Sequence, residues 1–257
     1  PRPPLPGRIS KLPLRRNLVS ERFKPRNAAT VILLRTRAAG EFEVFMTRRP
    51  AGMNFLGGMY VFPGGSVRKE DYSEAIRQRC YGLSPKDAQK ILGMHLSPEI
   101  SLGHWVAGIR ELFEEVGVLL CVTEDGTPVD LGQVEVRERL AGQRKSLIEK
   151  SIDFLAILKS ERLLCNAAGL AYFSHWQTPE ESAIRFDTRF YLALLPANQR
   201  PLSTSEEVTH SLWLTPDRAV KLCQEGSLPV IMPTFSSLRT LADFDSLESL
   251  FAEYRSG

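Results

Sequence analysis

The order of segments along the chain predicts an α/β (α+β) fold, on three observations. Short β-branched or alternating apolar runs occur at residues 28–35 and 41–48, and again at 169–174, 185–195 and 208–214. Segments of helical period lie between and after them, one of which stops at Gly117. Apolar residues make up 43% and charged residues 25% of the 257 residues, the balance of a chain that folds around its own core.

Taken in order, residues 1–27 form a basic Pro/Arg-rich arm, with Glu21 its only acid. Residues 28–257 read as a single domain with insertions. The apolar run AATVILLR (28–35) is a strand. A turn at Gly40 leads to a second, EFEVFMTR (41–48), with Phe42, Val44 and Met46 on one face. Residues 53–67 are rich in glycine and end in a loop of the kind that approaches a ligand closely. Ser84-Pro85 and Ser97-Pro98 each read as a helix start, serine as cap and proline as first helical residue. Residues 132–163 have Leu and Ile at helical spacing among charges and predict one or two amphipathic helices. Helices are also expected at 216–225, 233–244 and 247–254.

Composition excludes several classes. The longest strongly apolar run, 116–122, is far short of the roughly 20 residues that cross a bilayer, so no membrane partner is expected. A net charge of +3 is too small to draw nucleic acid, and no basic-aromatic interleaving appears. The four cysteines are widely spaced without a C-x-x-C pair and read as reduced, mostly buried thiols of an intracellular protein. The expected location is cytoplasmic, with organelle targeting by the basic arm as the alternative.

The segment HWVAGIRELFEEVGVLL (104–120) carries most of the chemistry. At about 100° per residue, Trp105, Ile109, Leu112, Phe113 and Val116 share one side of a helix. Glu111, Glu114 and Glu115 share the other, beside Ala107 and Gly108. Glutamates at such spacing repel one another. A hard divalent cation between them reverses that sign, whereas a solvated acidic face with Arg110 as counter-ion explains them without a metal.

Arg110-Glu111-Leu112-Phe113-Glu114-Glu115-Val116-Gly117-Val118 fits the second half of the Nudix box, G-x5-E-x7-R-E-U-x-E-E-x-G-U. Gly65 and, after five intervening residues, Asp71 stand where the first half has Gly and Glu. Spacing then calls for the arginine at position 79, and Arg110 lies 31 residues beyond it; Arg79 is followed by Cys80, not Glu. With FPGGSV (62–67), residues 173–195 and MPTFSSLRTLADF (232–244), the split box resembles the Nudix hydrolase subgroup of the peroxisomal coenzyme A diphosphatase, which has a long insertion at this place.

The resemblance implies a Nudix α/β/α sandwich with a mixed central sheet, helical insertions at 72–102 inside the box and at about 130–165, and Mg²⁺ or Mn²⁺ as cofactor. It implies that Glu111 and Glu115 hold metal with Glu114 and the carbonyl of Gly65, and that Arg110 ties down a glutamate. Glu207 is the expected loop carboxylate, with Glu206 pointing elsewhere, and Asp71 braces the loop. Arg48, Arg49, Gly64 and Arg185 are candidate substrate contacts, while the 72–102 insertion is expected beside the cleft as a lid or homodimer surface. The implied reaction is hydrolysis of a pyrophosphate bond in CoA or acyl-CoA, giving 3′,5′-ADP and a phosphopantetheine. ADP-ribose, a dinucleotide or a capped RNA end are alternative substrates. A non-cleaving nucleotide sensor is the alternative of another class.

Overall fold

The computed structural model describes residues 24–37 and 40–255. The first 23 residues of the expected arm lie outside these, and residues 26 and 27 already belong to the first strand. That strand, β1 (Arg26–Thr36), is the centre of a mixed sheet. It pairs antiparallel with β2 (Phe42–Arg48) and, through Ala28–Thr30, with the short β4 (Gly64–Ser66). On its other side it runs parallel to β9 (Phe186–Leu194), which is edged by β8 (Leu170–Gln177). Beyond β2 lie β10 (His210–Leu214) and the two-residue β3 (Tyr60–Val61).

Alternation along β1 sets the layers. Ala29, Val31 and Leu33 enter one core with α3 (Pro98–Val116), and Ile32 and Leu34 enter the other. The second core holds Phe42, Val44 and Met46 of β2 against α6 (Pro216–Gln224), α7 (Met232–Leu241) and α8 (Leu247–Arg255). A strand apolar on both parities is one covered on both faces. The result is a sheet between two helical layers.

The insertion differs from its sequence outline. Its elements are α1 (Glu74–Arg77), β5 (Cys80–Tyr81) and α2 (Pro85–Leu92), but residues 98–102 are the first turn and more of α3 itself. Ser97 Oγ accepts from Ile100 N–H, Pro98 occupies the first turn, and one 19-residue helix runs through to the box. Gly117 ends it at φ 73°, a left-handed position where glycine has no Cβ to strain.

The segment 132–163 forms α4 (Val134–Ile148) and α5 (Phe154–Ser160). A second, three-stranded sheet, β5–β7–β6, escaped the sequence reading; β6 spans Cys121–Thr123 and β7 Leu163–Asn166. Its register sets Cys165 opposite both Cys80 and Cys121, so three distant cysteines become neighbours as free thiols. Arg79 donates to the carbonyls of Leu158 and Leu163, tying the 72–102 insertion to α5 and β7. Among the described residues, no helix is long and apolar enough to cross a membrane.

Candidate active site

The glycine loop and the C-terminal half of α3 meet at a buried arginine. Arg110 is 2% exposed, and all five of its N–H groups are used. Its Nε and Nη2 grip the Asp71 carboxylate at 2.7 and 2.8 Å. Its Nη1 donates to Glu111 at 2.6 Å and Glu114 at 3.2 Å, and Nη2 also reaches the Ser66 carbonyl. Burial pulls the guanidinium's pKa down, but the Asp71 bonds and the charges of Asp71, Glu111 and Glu114 outweigh it and hold it above its ordinary value. A planar fork makes this possible; a lysine has no such geometry.

Asp71, shorter than the expected glutamate, sits 1% exposed on a one-turn 3₁₀ helix (Lys69–Tyr72) and also accepts from the Arg68 N–H. It braces Arg110 as a partner fixed in place. The Arg68 side chain, on the open side, donates to both oxygens of Glu114 at 3.0 Å and approaches Glu111 at 3.5 Å. Gly65 is needed for closeness: a Cβ there would stand 2.6 Å from the Glu111 carboxylate carbon.

The carboxylates are not a solvated face. Glu111 and Glu115 are each 7% exposed, and α3 is buried on nearly every side. Burial raises the Glu111 pKa against the lowering pull of Arg110. Glu115 is held well above the ordinary carboxylate range, first by burial, then by the charges of Glu111 and Glu207, with Arg49 a weaker opposing influence. Among the described residues its carboxylate accepts one hydrogen bond, from the Gly64 N–H at 3.3 Å. A buried carboxylate with so little compensation is costly unless it is protonated or meets a cation.

These groups open on a cleft of about 220 Å³ lined by Arg68, Glu111, Glu114, Glu115, Glu206 and Glu207, with α4 as its far wall. Glu206 therefore joins Glu207 at the cleft instead of pointing away, because the chain turns through a bridge between Ser205 and Val208 before β10 begins. Arg144 of α4 donates to the carbonyls of Phe113, Glu114 and Glu115, capping the negative end of α3. Arg68 and Arg144 were missed in the sequence, and Glu206 was expected to point away. Arg68 stood within the loop half of the box, whereas Arg144 carried no motif signal.

Among the described residues no three His, Cys, Asp or Glu side chains stand close enough to enclose an ion, since Glu111 and Glu114 are turned onto Arg110 and Arg68. The donors present are all oxygens: three carboxylates on one helix end, two on the facing loop, and the carbonyls of the glycine loop. Such a set suits Mg²⁺ or Mn²⁺ rather than a thiolate- or imidazole-seeking metal. The under-compensated charge of Glu115 is the feature that a cation would answer.

The sequence profile of the NUDT19 Nudix domain matches residues 25–241. The chain belongs to this Nudix family. It is 28% identical over 236 residues to the acyl-coenzyme A diphosphatase NUDT19 of Xenopus laevis, covering 82% of this chain and 62% of that one. To the Homo sapiens protein of the same name it is 25% identical, covering 81% and 63%. The chain thus spans somewhat less than two thirds of the length of these relatives. The crystal structure of a NUDIX hydrolase from Alicyclobacillus acidocaldarius is 25% identical and superposes with a TM-score of 0.69 over 89% of this chain and 96% of that one. The fold is the Nudix α/β sandwich.

In this Nudix domain the split box closes in space: Gly65 and Asp71 meet Arg110 and Glu111 although 31 extra residues separate the halves. The other expected site residues divide. Gly64 and Arg49 act on Glu115. Arg48 does not line the cleft; it sits at the end of β2, donates to the Gly58 carbonyl and lies over the Tyr60 ring. Nor does Arg185, which donates to the Thr178 carbonyl across the hairpin between β8 and β9. The 72–102 insertion contributes no lining residue either. It packs on the N-terminal half of α3, where Ile76, Ala88 and Leu92 enter the core, and the wall of the cleft comes from α4 instead.

Proposed function

We propose that this Nudix domain is a divalent-metal-dependent diphosphatase, cleaving the pyrophosphate bond of CoA or acyl-CoA to 3′,5′-ADP and the corresponding 4′-phosphopantetheine. The observation that carries the reading is the buried Glu115, under-compensated and facing Glu111, Glu114 and Glu207 across one cleft. The acyl-coenzyme A diphosphatase relatives support the CoA-like substrate.

In this reading Glu111, Glu114, Glu115 and the Gly65 carbonyl would hold Mg²⁺ or Mn²⁺, which when bound would neutralise charge on the diphosphate and acidify water. Arg110 keeps Glu111 and Glu114 in place without touching substrate. Glu207 takes the proton from the attacking water, whose oxygen forms a new P–O bond as the bridging P–O bond breaks. Arg49, beside Glu115, and Arg68, on the open side of Glu114, would face the phosphate oxygens. Since there is little covalent chemistry for the protein to perform, positioning and charge carry the rate.

The test is incubation with CoA, an acyl-CoA, ADP-ribose and NADH in Mg²⁺, with products identified by mass spectrometry. The proposal expects 3′,5′-ADP from the first two, abolished by chelation. Cleavage of ADP-ribose or NADH with CoA untouched would move the activity to another Nudix substrate, and no cleavage of any would favour the sensor.

A further inference from the structure

A second cavity, of about 610 Å³, adjoins the acidic cleft and has the opposite charge. The two share a wall. Residues 137, 140, 141 and 144 of α4 line the larger cavity, and 144, 147 and 148 line the cleft. Steps of three and four residues put all of them on one face of the helix, and Arg144 is common to both spaces. The walls of the larger cavity are apolar at Phe113, Leu131, Leu140 and Leu202. Its charged lining is Arg137, Arg144 and Arg200, with no carboxylate.

The three arginines are not equivalent. Arg144 is spent on the last carbonyls of α3. Arg137 has a single long bond to the Leu131 carbonyl at 3.4 Å. Neither Arg137 nor Arg200 forms an ion pair among the described residues, and both are exposed. Two unpaired guanidinium groups over apolar walls are complementary to a phosphate carried on a flat, largely apolar body. Guanidinium binds phosphate through a fork and stacks on aromatic planes. The volume is that of a small-ligand site. Arg137 and Arg144 are seven residues apart, about 10 Å along α4, a span comparable with one nucleoside.

We infer that this cavity holds the nucleoside end of the substrate and that Arg137 and Arg200 bind a phosphate monoester on it, separate from the diphosphate that is cleaved. The inference rests on the proposed diphosphatase reading for its second test but not for its first. A substrate entering this way lies along α4, with its diphosphate at the carboxylates and its extra phosphate at the two arginines. The cavity would thereby select nucleotides bearing that group.

The first test is calorimetric titration of the full chain, without divalent ion, with 3′,5′-ADP and with 5′-AMP. Wild-type protein should bind 3′,5′-ADP at least tenfold more tightly. In the Arg137→Ala/Arg200→Ala double variant the two affinities should come within about twofold, and circular dichroism should show an unchanged melting curve. Equal affinities in wild type, or a preference that survives the double substitution, would overturn the inference. The second test compares kcat/KM for CoA and 3′-dephospho-CoA: the wild-type preference should collapse toward unity in the double variant, through KM, and an intact ratio would overturn it. If neither substrate is cleaved while the calorimetric preference appears and is lost as described, the diphosphatase reading fails and the phosphonucleoside site stands.

Discussion

Arg110 and Arg189 are buried alike, 2% and 1% exposed, and each is ion-paired with an aspartate, but their surroundings differ in charge balance. Around Arg110 stand Asp71, Glu111 and Glu114, with Glu115 and Glu207 just beyond, an excess of negative charge that one guanidinium, the exposed Arg68 and Arg49 do not neutralise. Around Arg189 stand Asp187, which also pairs with His175, and the ring of His95, which approaches Arg189 Nη2 at 2.9 Å. That second cluster is balanced. It joins the inserted segment, through His95, to the start of β9. The lesson is that a buried ion pair is weak evidence of function; the charge left over after pairing is what distinguishes a site that wants a ligand from a clamp.

The comparison can be broken most forcefully at the arginines themselves. Arg110→Met leaves three carboxylates without their organiser and should cost about 3–5 kcal/mol, the usual result of removing one member of a buried pair. Thermal denaturation should fall by about 10 °C, since roughly 1 kcal/mol moves a chain of this size 2–4 °C, and turnover should fall at least about 100-fold. Arg189→Met should cost less, about 1–3 kcal/mol, because Asp187 retains His175. Its turnover per folded molecule should stay within about twofold. Equal losses of activity from the two would erase the distinction.

A subtler test is Glu115→Gln. Because the carboxylate is buried and held above its ordinary pKa, the amide should raise the melting temperature by about 2–4 °C in chelator. It should also cancel the stabilisation that saturating Mg²⁺ gives wild type, and turnover should fall by about 10²–10⁴. A melting temperature that drops would mean that Glu115 is already satisfied.

The smallest expected effect is one of pH, and the two regions should differ in sign. Glu111 and Glu115 titrate above their ordinary value of 4.5 in the folded chain. Above 4.5 the folded form therefore holds more protons than the unfolded, and metal-free stability declines as pH rises while Mg²⁺ binds more tightly. His104, near Arg189 and Asp187, is pushed by burial down to about 4 from 6.5, its Nε2 without a partner among the described residues. Below 6.5 the unfolded chain takes the proton first, so stability declines as pH falls toward 4. Urea denaturation across pH 4–8 in chelator should show both slopes, with Glu115→Gln flattening one and His104→Phe the other.

Much of this was legible in the residues. The Ser-Pro caps, Gly117 and the R-E-x-x-E-E spacing located the helix and its carboxylates, because capping and helical period are local effects. The closure of the split box was legible only through the pattern of the family, since Asp71 and Arg110 are 39 residues apart. What was not legible acts across the fold. The three-stranded sheet has strands of two to four residues, too short to alternate. Arg144 reaches the end of α3 from another helix, and the placing of Glu206 depends on a turn. The insertion was expected at the cleft; its apolar residues instead join the core against α3, and α4 supplies the wall.

The most direct measurement is the anomalous difference map of crystals soaked in saturating Mn²⁺. The account predicts a peak within about 2–2.5 Å of oxygens from Glu111 and Glu115, with Arg68 displaced from Glu114. A map empty there, in crystals whose protein still cleaves the diphosphate, would contradict it.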